Sequence, residues 1–156
     1  YKYYLMAVGK DGVSYNLISK ILSTVEIEVN DILSQIVDFT IMFEMDGKMV
    51  NNYICYGDDK QWPLELASGM EKFISSLAIR IALTNIASLP RPNFMAIDEG
   101  WGSMDSDNIN SVYKLFEYLK NKHQFSLIIS HVDTMRDFTD TLLEIKQEDD
   151  YSKITF

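Results

Sequence analysis

A short apolar run that ends in two acids constrains the fold of this chain more than any other stretch. Phe94-Met95-Ala96-Ile97 is short for a helix, and its successive apolar residues are typical of a strand covered on both faces. Asp98-Glu99 follow it directly. Because ligands of open α/β folds bind outside the carboxyl ends of strands, this acid pair is predicted to lie at such an edge.

A long apolar segment precedes this strand, and a glycine-rich loop follows it. The segment opens at Ala67-Ser68-Gly69-Met70-Glu71 and stays apolar to near Leu89, where two prolines stop it. The loop is Gly100-Trp101-Gly102-Ser103-Met104-Asp105. The segment therefore predicts a helix whose N-terminus lies near Ser68-Gly69.

The chain after this loop repeats the pattern of helix and buried strand. A helical stripe is formed by Ile109, Val112, Leu115, Phe116 and Leu119. A second apolar run, Phe125–Ile129, ends at Ser130-His131. Strand, helix and strand in this order predict a right-handed parallel crossover, so His131 is expected at the same carboxyl edge as the acids.

The first part of the chain predicts helices and a hairpin. Two helices are expected, the second one opened by a capping box of Ser23 and Glu26. Alternating residues from Val37, the turn signal Asp46-Gly47 and a returning run Met49–Tyr56 predict a β-hairpin. Two final strands, Leu142–Ile145 and Ser152–Phe156, are expected around the acidic turn at residues 148–150. The predicted class is α/β, with a mixed, mostly parallel sheet, flanking helices and an N-terminal β-hairpin.

Composition limits the size of the protein and its possible partners. A chain of 156 residues is about one domain, and its net charge of -9 makes it no cationic grip for nucleic acid. One cysteine and two histidines exclude an internal disulfide and a four-ligand zinc site, which suits a reducing compartment, cytoplasmic or nuclear. Polar residues interrupt the most apolar run, so a membrane span is not expected.

Ser68-Gly69 allow two interpretations. A helix that begins here presents unpaired backbone N–H groups and the positive end of its dipole, which favours a phosphate, and the serine hydroxyl adds a donor. An ordinary N-cap serine with Glu71 nearby explains the same residues. The residues alone do not separate the two.

The acids and the histidine also have a chemical and a structural interpretation. Asp98 is suited to Mg²⁺, a hard ion that prefers oxygen ligands, and Glu99 could orient or deprotonate a water that attacks a γ-phosphate. His131 could hydrogen-bond that phosphate. A solvated strand end and a structural histidine explain the same residues when each is taken alone.

Taken in order, these motifs resemble the ATPase heads of the SMC/ABC superfamily, and the SbcC-type double-strand-break repair ATPases in particular. The signature motif matches residues 67–71, the Walker B strand matches 94–99, the D-loop matches 100–105 and the switch histidine is His131. Asp98-Glu99-Gly100-Trp101-Gly102-Ser103-Met104-Asp105 looks like the Asp-Glu-Gly-Phe-Gly-Thr-Leu-Asp of that family, and Met70 stands where the family usually has a second glycine.

The resemblance implies a function for a complete head. No Walker A phosphate loop is found in the sequence, so residues 1–156 are expected to be the C-terminal half of a head, completed by an N-terminal lobe beyond a coiled coil. Because the chain starts at Tyr1 rather than methionine, we interpret it as a piece of a longer protein. Alone, it is expected to lack ATPase activity.

The resemblance also implies roles for single residues. ATP and Mg²⁺ would be bound between two heads of a homodimer, with Asp98 toward the metal and Glu99 and His131 in catalysis. Ser68, Gly69, Met70 and Glu71 would face the nucleotide of the opposite head, and Asp105 would bridge the heads. A nuclease of the metallophosphoesterase type and DNA are the implied partners.

Three alternatives remain open at this stage. The first is the head of another SMC-type ATPase, either chromosome-organising or of the RecN or RecF recombination type. The second is a nucleotide-free assembly module. The third, an acid-pair hydrolase unrelated to nucleotides, fits poorly because adjacent residues of one strand point to opposite faces.

Overall fold

Helices and β-ladders alternate along the chain much as the sequence periodicity predicts. The computed structural model describes residues 1–9, 12–47, 49–103, 109–148 and 151–155. Its helices are α1 (Lys2–Val8), α2 (Val13–Leu33), α3 (Gly69–Ile86) and α4 (Ile109–Lys122). Its strands are β1 (Thr40–Asp46), β2 (Met49–Tyr56), β3 (Lys60–Pro63), β4 (Phe94–Asp98), β5 (Phe125–Ile129), β6 (Glu144–Glu148) and β7 (Tyr151–Thr155), with 3₁₀ turns at Leu64–Leu66, Trp101–Ser103 and Asp133–Phe138.

The predicted hairpin is confirmed, and a third strand extends it. β1 and β2 pair antiparallel, with Asp46 opposite Met49 across the turn. Gly47 there has φ +60°, a conformation that glycine adopts without steric cost. β3 then pairs with β2, although the sequence predicted only a loop at residues 57–60. Ile41 and Ile54 on the inner face of this sheet are fully buried.

One continuous helix replaces the two helices expected before the hairpin. α2 runs from Val13 to Leu33, so the prediction of a capping box at Ser23 and Glu26 is wrong. The Ser23 hydroxyl donates to the Ser19 carbonyl one turn earlier, 3.3 Å away, which is how serine behaves inside a helix. The Glu26 carboxylate instead accepts a hydrogen bond from the Phe43 N–H of β1 at 2.7 Å.

α2 also covers the outer edge of β1. The Asn30 amide donates to the Ile41 carbonyl at 2.8 Å and accepts from the Ile41 N–H at 2.8 Å, as a neighbouring strand would. Together with Glu26, this satisfies backbone groups that an edge strand would otherwise leave open. The hydrogen bonds fix the position of the helix along the sheet.

The predicted parallel crossover is confirmed, but the sheet around it is small. β4 and β5 pair parallel, with Asp98 opposite Ile129. Among the described strands this is the one parallel pair, because the β1-β2-β3 and β6-β7 sheets are antiparallel. The expectation of a mostly parallel sheet is therefore wrong, while the α/β class with flanking helices and an early hairpin holds.

One face of the β4-β5 pair is packed and the other is exposed. On the packed face Ile97 is buried and its register partner Ile128 is half-buried. On the opposite face Phe94, Leu127 and Ile129 keep 49%, 44% and 48% of their surface exposed. The prediction that these strands are covered on both faces is thus wrong for this chain, whose helices cover one side.

The main core lies between α2, the hairpin sheet, α3 and α4. Its fully buried side chains include Val29, Leu33, Ile74, Leu115 and Leu119. The final strand pair β6-β7 is present as predicted, although β6 begins at Glu144 rather than Leu142. None of the helices in the described residues is long and apolar enough to cross a membrane.

Candidate functional site

The two acids lie at the carboxyl end of β4, where the strand meets β5. Asp98 is the last residue of β4. The Glu99 N–H donates to the Ile129 carbonyl at 3.0 Å, so parallel pairing continues one residue beyond the strand and holds the Glu99 backbone in place. We call Asp98, Glu99 and His131 the acid rim.

The backbone of the acid rim is strained. Glu99 has φ +61°, and among the described residues it is the one residue other than glycine with a positive φ. An L-residue in this region costs roughly 1–2 kcal/mol and is held there by its surroundings. Gly100 follows at φ +104°, and a Cβ on it would overlap the Phe73 ring. Glycine is therefore required for the chain to turn here against α3.

Glu99 and His131 are in direct contact. His131 Nδ1 lies 3.0 Å from Glu99 Oε1, at hydrogen-bond distance. The turn that presents the histidine is shaped by Ser130, whose hydroxyl accepts the Val132 N–H at 3.0 Å. Both side chains are open to solvent, with 75% of the His131 side chain and 53% of the Glu99 side chain exposed.

Asp98 offers one exposed carboxylate beside this pair. Among the described residues, no group of three or more acidic, histidine or cysteine side chains could hold a metal ion. A single carboxylate nevertheless fits Mg²⁺, which typically takes one or two protein carboxylates and completes its shell with phosphate oxygens and waters. The donor set therefore fits a Mg²⁺ ion bound together with a phosphate ligand.

Trp101 anchors the loop that follows the acids. Its side chain is 1% exposed and packs edge-on against Phe73 of α3, with ring centroids 4.8 Å apart, and against Phe116 of α4 at 5.5 Å. Trp101 is therefore a packing residue of the core. Asp105, predicted at the end of this loop, lies outside the described residues.

The N-terminus of α3 is the second cluster of predicted residues. Ser68 is the N-cap, and its hydroxyl accepts the Glu71 N–H at 3.3 Å while the Glu71 carboxylate accepts the Ser68 N–H at 2.6 Å. This is a complete capping box. Ser68 and Gly69 are exposed, and the serine hydroxyl hydrogen is not used in this box. We call Ser68–Glu71 the helix tip.

Met70 and Glu71 point away from the exposed surface of the helix tip. Met70 is 3% exposed, so its side chain belongs to the core and leaves only its backbone available to a ligand. Glu71 is half-buried and occupied by hydrogen bonds. Both side chains thus serve to fix the start of the helix, and a contact of these two residues with the nucleotide of an opposite head stays a prediction.

Tyr56 is a residue of this cluster that the sequence did not indicate. Its hydroxyl donates to Glu71 Oε1 at 2.5 Å. Burial works to raise the pKa of Glu71, but hydrogen bonds from Tyr56 and Ser68 outweigh it and hold that pKa below its usual value. No local pattern joins residues 56 and 71, because the contact depends on how the hairpin packs on α3.

The structure thus groups the predicted residues into two clusters. Glu99 and His131 contact each other, and Ser68 and Glu71 contact each other. No hydrogen bond or ion pair between described side chains joins one cluster to the other. They are connected through packing, since Phe73 on the first turns of α3 contacts Trp101 beside the acid rim.

Curated proteins similar to this chain include an uncharacterized protein, a probable Rad50 ATPase and SbcC components of the nuclease SbcCD. No protein-family model matches the chain. An uncharacterized protein of Acanthamoeba polyphaga mimivirus, R555, is 35% identical over 99% of this chain and 13% of its own length. A probable DNA double-strand break repair Rad50 ATPase of Aquifex aeolicus is 32% identical over 59% of this chain and 10% of its own length. The SbcC component of the nuclease SbcCD of Bacillus subtilis is 32% identical over 47% and 7%.

Solved structures similar to this chain include an SMC ATPase and SMC heads. An SMC ATPase from work on ATP-driven dimerization and DNA-stimulated activation superposes with a TM-score of 0.71 at 17% identity, over 90% of this chain and 87% of its own. The SMC head domain of Thermotoga maritima gives 0.61 at 23% identity, over 90% and 51%. An SMC head bound to the C-winged helix domain of ScpA gives 0.66 at 18%, over 96% and 47%.

These two sets of similarities agree on the broad group. The chain spans only about a tenth of the length of the curated relatives that it matches. Its fold matches a solved SMC ATPase over most of that chain's length and an SMC head domain over about half. The chain therefore matches part of an SMC head in fold and is related in sequence to the Rad50 and SbcC ATPases.

Proposed function

We propose that this chain is the C-terminal half of an ATPase head that hydrolyses ATP at the interface of two heads and controls a DNA double-strand-break repair nuclease complex. A Walker A lobe would complete the head, and a second head would complete the ATP site. A nuclease of the metallophosphoesterase type and DNA would be the further partners, in a reducing intracellular compartment.

The contact between Glu99 and His131 carries this proposal. It places a carboxylate and an imidazole 3.0 Å apart, beyond the carboxyl ends of two parallel strands, with the exposed Asp98 beside them. Ligands of open α/β sheets bind at this edge. The strained backbone of Glu99 costs free energy, and an exposed carboxylate with a purely structural role would not offset that cost. The strain therefore supports a functional interpretation of Glu99.

Each residue of the acid rim has a chemical role in this proposal. Asp98 would hold Mg²⁺, which when bound neutralises charge on the phosphates. Glu99 would accept a proton from the attacking water or orient it. His131 would keep the Glu99 carboxylate in position and donate a hydrogen bond to the γ-phosphate when its ring nitrogen carries a proton.

The helix tip would act on the ATP of the neighbouring head. Ser68 and Gly69 are exposed, and the first N–H groups of α3 together with the Ser68 hydroxyl could donate to a γ-phosphate. Asp105 would bridge the two heads. Because these contacts need the γ-phosphate, hydrolysis would remove them and favour the open state.

An SMC-type chromosome-organising head is the second candidate. The solved structures favour it as a fold, since they include an SMC head bound to ScpA. Sequence supports the repair ATPases instead, because the Rad50 and SbcC relatives are each 32% identical over about half of this chain. Co-purification of the full protein with a phosphoesterase nuclease or with a ScpA-like protein would separate the two.

Substitution Glu99→Gln in the complete protein tests the proposal. Loss of the base should lower ATP turnover about 10²- to 10⁴-fold while ATP binding persists and the ATP-bound head dimer accumulates. Turnover would be measured by phosphate release and dimerization by sedimentation velocity. Glu117→Gln, an exposed glutamate on α4, is the matched control and should behave as wild type. Normal turnover in Glu99→Gln would remove Glu99 from this role.

A further inference from the structure

One carboxylate joins the hairpin sheet to the helix tip. Glu71 Oε1 accepts the Tyr56 hydroxyl of β2 at 2.5 Å, and Glu71 Oε2 accepts the Ser68 N–H at 2.6 Å. Each oxygen of the same group is thus bound by a donor from a different part of the chain. In an ordinary capping box the glutamate has only its own helix to hold it.

Tyr56 is itself fixed on both sides. It ends β2, where it pairs with Lys60 of β3. Its ring stacks on Trp62 with centroids 5.5 Å apart and an angle of 19°, and it lies tilted against Phe39 at 5.6 Å. Such aromatic contacts hold the ring in one orientation, so its hydroxyl is aimed at Glu71 by the sheet.

The protonation states suit a stable bond. Burial, followed by the hydrogen bond to Glu71, raises the pKa of Tyr56 well above its ordinary value, so the phenol keeps its proton. Glu71 stays ionised, because its hydrogen bonds hold its pKa low despite burial. A neutral donor therefore meets a charged acceptor at neutral pH, which is among the stronger kinds of hydrogen bond.

We propose that Tyr56 is a positioning residue for the helix tip, which orients Ser68 by holding the Glu71 carboxylate. This inference rests on the proposed function, in which Ser68 and Gly69 contact the triphosphate bound by the opposite head. Without Tyr56, Glu71 would regain rotamer freedom and the first turn of α3 would have a wider range of positions. The contact across the two heads would then form less often.

The test compares three variants in the complete ATPase. Tyr56→Phe keeps the ring and its stacking but removes the hydroxyl. Tyr53→Phe is the matched control, because Tyr53 lies on the same strand and its hydroxyl contacts Glu44 instead. Ser68→Arg, which places a bulky cation on the helix tip, reports whether the helix tip meets the opposite head at all. ATP binding, ATP-dependent dimerization and steady-state kinetics are measured for each.

The expected result separates the cross-head contact from nucleotide binding. Tyr56→Phe should weaken ATP-dependent dimerization and lower kcat roughly tenfold while leaving ATP binding to single heads unchanged. In a Glu71→Gln background the same substitution should have little further effect, because Tyr56 acts through Glu71. Hydrogen exchange at the Ser68 amide should become faster in Tyr56→Phe.

Failures of the two proposals would look different. If Ser68→Arg dimerizes with ATP as wild type does, the helix tip does not meet the opposite head and the proposed function is wrong. If Ser68→Arg is defective while Tyr56→Phe equals Tyr53→Phe in dimerization and kcat, the positioning role of Tyr56 is wrong. A Tyr56→Phe effect that adds fully to that of Glu71→Gln would overturn the role of Glu71 as intermediary.

Discussion

The helix tip and the acid rim differ in how the surrounding chain holds their residues in place. At the helix tip the capping box is complete and Glu71 has a partner on each oxygen. At the acid rim the backbone is strained at Glu99, and the Glu99 and His131 side chains touch each other in open solvent. The helix tip is braced by its own chain, whereas the acid rim is held chiefly by backbone pairing with β5.

This difference agrees with what each cluster would meet in the proposed head. The helix tip would contact a ligand held by another molecule, so its rigidity reduces the entropy lost on docking. The acid rim would face a nucleotide bound by its own N-terminal lobe, and the exposed apolar face of β4-β5 is the kind of surface such a lobe could cover. Three predictions test the contrast.

Gly100→Ala should give the largest effect, because it breaks the packing between the two clusters. The added Cβ would overlap the Phe73 ring, and φ +104° strains any L-residue. Strain and overpacking together should destabilise the fold by about 2 to 4 kcal/mol, measured by urea unfolding. Gly102→Ala, where nothing lies within 4 Å of the added Cβ, should be close to neutral. Equal stability of the two variants would contradict the close packing of the loop on α3.

Glu99→Gly should give a smaller effect of the opposite sign. Glycine adopts φ +61° without strain, so the fold should gain about 0.5 to 1 kcal/mol after the higher entropy of the unfolded chain is counted. The same change at Glu71, which removes the capping box, should destabilise the fold. Urea unfolding of both variants measures the contrast, and loss of stability in Glu99→Gly would show that the acid rim is not strained.

The smallest effect is expected for Tyr56→Phe, on the stability of the fold at low pH. The pKa of Glu71 is lower in the fold than its ordinary value of 4.5, so its contribution to stability is complete above that pH and is lost as the pH falls through the folded value. Tyr56→Phe removes one cause of the lowering and should make the loss of stability on acidification shallower. Unfolding titrations from about pH 7 to about pH 3 measure this slope, with Tyr53→Phe as the control. Equal slopes of stability against pH in Tyr56→Phe and Tyr53→Phe would contradict a contribution of Tyr56 to the low pKa of Glu71.

Much of the site could be predicted because its signals are local. The apolar run before Asp98-Glu99, the helical stripe of α4 and the run before His131 dictate a strand, a helix and a strand. The parallel crossover then brings the two strand ends together. Ser68 as an N-cap and Asp46-Gly47 as a hairpin turn are likewise decided within a few residues.

Local signals failed where a distant partner competes for the same group. Ser23 and Glu26 fit a capping box, but Glu26 gains a hydrogen bond from Phe43 in β1, and the helix continues. β3 was missed because its pairing with β2 depends on the sheet rather than on its own pattern. The exposure of one face of β5 was not predicted, because apolar residues in a sequence do not show whether they are covered by the same chain or by another one.

The sequence by itself determined the order of the elements, the residues at the ends of β4, β5 and α3, and the chemistry that those residue types allow. Only the tertiary structure decided that Met70 faces the core, that Glu99 adopts a left-handed conformation and that Tyr56 holds Glu71. The physical reason is the separation along the chain over which each kind of interaction acts. Periodicity and capping act over one or two turns of chain, whereas a hydrogen bond between residues 56 and 71 exists only once the sheet and the helix have packed together.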